Sequence, residues 1–130
     1  MERHSFIGKM LMRDFHDLKV WGKAHQLVLG IYQASAGFPR SEVYALTSQM
    51  RRAAISIASN IAEGCGRKTE TEFARFLQIA MGSASEVQYH LLLARDLGFF
   101  SDTVFQPLDR EVTEVKRMLT ALMQKLNADS

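Results

Sequence analysis

Apolar residues recur at helical spacing along almost the whole chain, and this periodicity constrains the fold more than any other feature. The clearest example is the C-terminal segment, where apolar residues alternate steps of four and three: Leu108, Val112, Val115, Leu119, Leu122 and Leu126. Such alternation is typical of the buried seam of packed helices. No segment shows the period-two alternation of a half-buried strand. The sequence therefore predicts an all-α protein.

Glycine, proline and capping residues divide the pattern into four helices. We expect the first from Leu18 to about Ala36, and the second from Ser41, as N-cap, to Glu63 with a stop at Gly64. The third begins with a T-x-x-E capping box at Thr69 and ends at Gly98. The fourth is capped by Ser101, although Pro107 could move its regular part to near Gln106. Four helices with short connectors predict an up-down-up-down antiparallel four-helix bundle over residues 14–130, preceded by an N-terminal extension, residues 1–13.

Composition excludes several classes of protein. The chain has 130 residues, a formal net charge of +2 and one cysteine. A charge this small does not by itself indicate nucleic-acid binding, and a single cysteine cannot form an internal disulfide or a thiolate metal cage. We find no signal-peptide core and no apolar run long enough to span a membrane. We expect a soluble, cytoplasmic protein with no membrane partner.

The second helix has two usable faces. Opposite its apolar face lies a polar stripe with small residues in the middle, which permits close approach of another helix: Ser48, Arg52, Ser56, Ser59 and Glu63. The third helix also mixes charged and apolar residues beside its core stripe. Two readings remain open, namely contacts between copies in a homo-oligomer and an exposed face with a few long side chains lying along it.

Within this stripe we predict a structural polar network that includes Arg52, Ser56, Ser59, Asn60, Glu63 and Glu86. Arg52 should be partly buried and paired with Glu63 or Glu86, because charge-assisted hydrogen bonds favour such a pair. Arg51 lies about 100° away around the helix, so it need not share this role. For Arg51 a structural pairing and a phosphate contact both remain open.

The segment "EGCGRKT" between the second and third helices resembles a phosphate-binding loop only superficially. A Walker loop needs a glycine five residues before its Gly-Lys-Ser/Thr and a preceding strand, whereas here Arg67 follows Gly66 and a helix comes before it. We therefore interpret the segment first as a helix corner. Arg67 and Lys68, beside the N–H groups of the next helix start, form a tentative nucleic-acid contact together with Arg51.

Catalytic and metal-binding patterns are not apparent. A di-metal bundle needs Glu-x-x-His motifs on paired helices, but Glu86 and His90 stand four apart and have no second set. Cys65 has no recognisable base partner in the sequence. We expect no catalytic residue, no metal and no cofactor, and hence no enzyme. Other cations could form a basic patch only after assembly: Lys19, Lys23, Arg75, Lys116 and Arg117.

Three blocks resemble the signature regions of the 23S ribosomal RNA intervening-sequence protein family. They read FHDLKVWGKAHQL, FPRSEVYALTSQMRRAAISIASNIAEG and EFARFLQIAMGSASEVQYHL, and the resemblance covers about Phe15 to Leu126. It implies a bacterial four-helix bundle. Members, and the related accessory proteins of diversity-generating retroelements, assemble as homopentamers, and the retroelement relatives bind nucleic acid through a basic surface.

Two functions follow as hypotheses. The first is a non-enzymatic homo-oligomer, most readily a pentamer, that binds RNA or DNA, with RNA favoured, through a composite basic surface. The alternative is a homo-oligomeric protein-interaction scaffold without a nucleic-acid role.

Overall fold

The computed structural model describes residues 13–129, and within that range the chain forms four α-helices and no strand. The helices are α1 (Lys19–Ser35), α2 (Leu46–Cys65), α3 (Glu70–Asp96) and α4 (Asp102–Asp129), with short 3₁₀ turns at Phe15–Asp17 and Arg40–Glu42. The all-α prediction is confirmed for this part of the chain. Residues 1–12 of the expected N-terminal extension lie outside the described residues.

Each helix packs against its neighbours in sequence, and α1 also packs against α4, which closes a four-helix bundle. Contacts between residues at opposite ends of successive helices show that the neighbours run antiparallel. Arg51 near the start of α2 meets Ser35 at the end of α1. Gly64 at the end of α2 meets Phe73 at the start of α3, and Arg95 at the end of α3 lies 3.9 Å from Asp102 at the start of α4. The order is therefore up-down-up-down.

The bundle core consists of the apolar stripes that the periodicity predicts. Core residues of all four helices are fully or nearly fully buried, among them Leu27, Ile57, Leu77, Val87 and Leu119. On α1 the buried stripe is Val20, Ala24, Leu27 and Ile31, while Trp21 and Val28 are only partly buried and Tyr32 is exposed. In the described part of the chain, no helix combines the length and the apolarity needed to cross a bilayer.

The start of α2 differs from the expectation. The helix begins at Leu46 rather than near Ser41, and the preceding residues form a 3₁₀ turn after which Val43 is 47% exposed. The carboxylate of Glu42 accepts a hydrogen bond from the backbone N–H of Leu46 at 3.2 Å. Glu42 therefore satisfies a free N–H at the helix start, which is the role expected of Ser41.

Gly64 was expected to stop α2, but it lies inside the helix. A Cβ atom at this position would come within 2.9 Å of the Phe73 ring and 3.0 Å of Cβ of Phe76. Glycine is needed here because α3 approaches too closely for a side chain, and not because the backbone turns. α2 continues to Cys65.

Other helix ends match the sequence. Thr69 is the N-cap of α3, and its hydroxyl accepts a hydrogen bond from the N–H of Glu72 at 3.1 Å. At the other end Gly98 has a φ of +76°. The backbone N–H of Gly98 donates to the carbonyl of Arg95, and that of Phe99 donates to the carbonyl of Ala94. This is a Schellman motif. α4 begins at Asp102 and continues through Pro107, so the later start near Gln106 is not observed.

Candidate functional site

Arg51 is a structural residue at the end of α1. Its Nε donates to Oγ of Ser35 at 2.9 Å, one of its terminal nitrogens donates to the carbonyl of Tyr32 at 3.4 Å, and its guanidinium lies 4.4 Å from the centre of the Tyr32 ring. A helix C-terminus presents unpaired carbonyl groups with partial negative charge, which a guanidinium stabilises. The structural pairing of Arg51 is therefore present in the chain, and its phosphate contact stays a prediction.

Arg52 is exposed and forms no hydrogen bond or ion pair with any described residue. The predicted burial and pairing of Arg52 with Glu63 or Glu86 is therefore wrong within one chain. The physical reason is the rotation of about 100° between neighbouring residues, which turns Arg51 toward α1 and Arg52 away from the bundle. Glu63 and Glu86 are exposed as well, and each has a different neighbour.

The serine part of the predicted network is present. Oγ of Ser56 lies 2.8 Å from Oγ of Ser83, which joins α2 to α3. The amide nitrogen of Asn60 donates to the carbonyl and to Oγ of Ser56 at 2.8 and 3.0 Å. Ser59 is exposed and borders a groove between α1 and α2. Small polar residues thus bring two helices together, as the stripe indicates.

At the helix corner, Arg67 is engaged within the chain. It forms an ion pair with Glu63 at 2.5 Å, and its guanidinium lies 4.6 Å from the centre of the Phe76 ring. Lys68, in contrast, is exposed and has no hydrogen bond or ion pair with the described residues. The helix start beside them already carries the Thr69 cap and acidic residues in its first turn. These groups offset the positive potential that an anion would need.

Neither His90 nor Cys65 has the surroundings of a catalytic group. His90 is 6% exposed, and its Nδ1 has no partner among the described residues. Burial lowers the pKa of His90. The negative charge of Glu86, 3.7 Å from Nε2, opposes part of this decrease. Burial raises the pKa of the Cys65 thiol to about 11, so the thiol is protonated at neutral pH. No group of three or more potential metal ligands occurs among the described residues.

Several grooves mark the outer surface of the described bundle, and three of them contain residues that the sequence analysis singled out. A polar groove of about 510 Å³ lies between α2 and α3 and includes Arg52 and Glu86. An apolar groove of about 340 Å³ lies between α1 and α2 and includes Trp21 and Ile55. The third, of about 640 Å³, lies between α1 and α4 and contains three cationic side chains: Lys19, Lys23 and Arg117.

The α1–α4 groove corrects one expectation. Lys19, Lys23 and Arg117 were expected to meet only after assembly, but the bundle brings them together within one chain. The sequence does contain part of the signal, because Lys19 and Lys23 are four residues apart and share a face of α1. It does not show that Arg117 lies opposite them, since that depends on how α4 packs against α1.

Comparison with known proteins identifies the family to which this bundle belongs. The family model described as "23S rRNA-intervening sequence protein" matches residues 16–121. The chain belongs to this family. The match includes the first three helices, most of α4 and every cation of the three grooves, so these surfaces are part of the family domain.

One solved structure has the same fold as this chain. It is a protein of unknown function from the S23 ribosomal protein family of Bacteroides thetaiotaomicron. The two chains are 21% identical, with a TM-score of 0.74, and the similarity covers 81% of this chain and 95% of the other. Comparison with curated proteins gave no match. The family and the fold are thus established, and the molecular function has to be inferred from the surface.

Proposed function

We propose that this protein is a non-enzymatic homo-oligomer, most readily a pentamer, that binds nucleic acid, and RNA in particular, through a basic surface composed of several copies. The observation that carries the proposal is that several exposed cations have no hydrogen-bonded or ion-paired partner within the described chain. Lys19, Lys23, Arg52 and Lys68 form no hydrogen bond or ion pair with described residues. Such charges attract polyanions, and the description of the family names an element of ribosomal RNA.

Assembly is supported by the surface around α2. Ile55 is 42% exposed on the outer side of this helix, next to the apolar α1–α2 groove, and Tyr44 is 96% exposed beside the polar α2–α3 groove. Apolar side chains exposed beside apolar grooves are typical of protein interfaces. Arg52 and Glu86 border the same polar groove, so a carboxylate of a second copy that enters it could supply the partner that Arg52 lacks within its own chain.

Assembly also increases the charge that a polyanion meets. One copy carries +2, and five copies carry five times as much, +10. Ring symmetry repeats each exposed lysine at every subunit, so that individually weak phosphate contacts act together. For single strands, log K falls by about 0.7 per contact for each unit of log salt.

The alternative is a homo-oligomeric protein-interaction scaffold with no nucleic-acid role. Two of the three tentative contact residues favour it, because each already has a partner within the chain. Arg51 donates to Ser35, and Arg67 forms an ion pair with Glu63. Both hypotheses require assembly, and they differ only in whether RNA binds.

Light scattering and a binding titration test the proposal. Light scattering at micromolar concentration should give a multiple of 14.7 kDa, about 74 kDa for five copies. Anisotropy titrations with labelled ribosomal RNA and duplex DNA over a salt series should show binding that weakens steeply with salt. A species of 14.7 kDa alone would contradict both hypotheses. An oligomer that binds neither polymer at low salt would leave the scaffold.

A further inference from the structure

The α1–α4 groove has a positive rim and an open, largely apolar floor. It is lined by seven residues on two helices: Lys19, Gly22, Lys23, Gln26, Glu114, Arg117 and Met118. Nothing lies within 4 Å of the position where a Cβ of Gly22 would be, so the floor is open at this point. We refer to these residues as the basic groove.

The basic groove keeps a net positive charge. Arg117 donates to both carboxylate oxygens of Glu114, at 2.9 and 2.5 Å, and this pairing is the main reason that the pKa of Glu114 is lowered. Lys23 also lowers that pKa through its charge, which places it near the same carboxylate. One carboxylate thus stands against three cations, which leaves the groove a net charge of +2 for a ligand.

The two lysines are spaced along one face. They stand four residues apart on α1, which separates them by about 6 Å along the helix axis. Both are exposed, and neither forms a hydrogen bond or ion pair with the described residues. Two strongly hydrated ammonium groups that project over an open trough suit a flexible chain of repeated negative charges.

The start of α1 strengthens this potential. Its N-cap is Leu18, which has no side chain that can accept a hydrogen bond, and its first turn contains no acidic residue. The corner at the start of α3 is different, because Thr69 caps it and Glu70 and Glu72 lie in its first turn. The helix start beside Lys19 thus lacks the side-chain cap and the first-turn carboxylates of the start of α3, and its nearest acidic residue in sequence is Asp17, before the N-cap.

We infer that the basic groove holds the phosphate backbone of single-stranded RNA, with Lys19 and Lys23 as the principal contacts, and that the Arg67–Lys68 corner is not the main site. This inference rests on the proposed function and adds the site to it. An acidic peptide is the competing ligand. The groove offers it charge but no edge of backbone groups to pair with, since α1 and α4 bond their N–H and C=O groups internally except at the helix ends.

The experiment compares charge removal at two places. A labelled single-stranded RNA of about 16 nucleotides is titrated with the intact protein over a salt series. The test variant is Lys19→Ala/Lys23→Ala. The matched control is Arg40→Ala/Arg110→Ala, which removes two exposed cations outside the groove that also have no partner among the described residues. Lys19→Arg/Lys23→Arg keeps the charge.

We expect the Lys19→Ala/Lys23→Ala variant to bind at least about tenfold more weakly and to lower the salt slope by roughly 1.4, two contacts at about 0.7 each. The control should change affinity by no more than about twofold, and the arginine variant should retain binding. Circular dichroism melting should be unchanged, because all four substituted residues are exposed.

Three outcomes would overturn the inference. If the groove variant and the control weaken binding equally, RNA responds to the total charge of the protein and not to the groove. If the groove variant binds as the wild type does, the site lies elsewhere and the proposed function stands. If polyglutamate of equal charge competes as well as RNA, the ligand class is wrong. Failure of the wild type to bind any nucleic acid is the separate result that removes the proposed function itself.

Discussion

Arg51 on α2 donates from Nε to Oγ of Ser35 at the end of α1, over a distance of 2.9 Å. The Ser35 hydroxyl in turn donates to the carbonyl of Ile31 at 2.7 Å. This chain of hydrogen bonds connects the two helices at the point where α1 would otherwise present unpaired carbonyl groups. The neighbouring Arg52 has no such connection, and this difference between adjacent arginines leads to the first prediction.

Arg51→Ala should destabilise the protein by about 1–3 kcal/mol, because it removes a charge-assisted hydrogen bond and a guanidinium–ring contact. Arg52→Ala should change the folding stability of the chain by no more than about 0.5 kcal/mol, since its side chain is exposed. Urea unfolding at concentrations where the protein is monomeric measures both. Equal losses for the two variants would contradict the assignment of roles.

Two glycines should respond in opposite ways to the same substitution. Gly64→Ala places a Cβ against Phe73 and Phe76 and should cost about 1–3 kcal/mol through overpacking. Gly82→Ala lies on α3 with nothing within 4 Å and should stabilise the helix by about 1 kcal/mol. Thermal melts of the two variants beside the wild type provide the test. A stabilising Gly64→Ala would show that α2 and α3 are less closely packed than described.

His90 should make folding stability depend on pH below about 6.5. Burial lowers its pKa in the folded state, so at pH values between the folded pKa and the unfolded value of about 6.5 the unfolded chain binds the proton and the folded chain does not. The free energy of unfolding is therefore highest above pH 6.5 and falls as the pH decreases. One proton contributes at most about 1.4 kcal/mol per pH unit.

The measurement is urea unfolding from pH 7.5 to pH 5, compared with His90→Gln, which cannot titrate. Over this window, the difference in slope between the two proteins is the contribution of His90. His16 and His25 are present in both proteins, so their effects cancel. Identical slopes would mean that His90 is protonated equally in the folded and unfolded states.

Cys65 should resist alkylation in the folded protein. The thiol is buried, and with a pKa of about 11 fewer than about one in a thousand thiols is ionised at pH 7.4. Iodoacetamide labelling followed by mass spectrometry should proceed slowly without denaturant and rapidly in concentrated guanidinium. Fast labelling of the native protein would show that the end of α2 opens readily.

The periodicity of the sequence determined the fold class and most of the core, because a helix requires an apolar residue every three to four positions whatever its neighbours are. Capping residues determined two helix ends for the same local reason, Thr69 by its hydroxyl and Gly98 by its left-handed backbone. The small residues of α2 also indicated close approach of another helix, which the contact between Ser56 and Ser83 confirms.

Only the tertiary structure decided which charged groups are already paired and which face the solvent. Arg51 and Arg52 are the same residue type in adjacent positions, and their roles differ because α1 lies on one side of α2 and not on the other. Likewise, packing brings Arg67 into contact with Glu63 and the Phe76 ring, which the sequence alone did not show. The basic groove depends on α4 placing Arg117 opposite Lys23, across more than ninety residues of sequence. Local patterns specify the helices, but the position of a charge relative to a neighbouring helix is set by packing, which no local pattern contains.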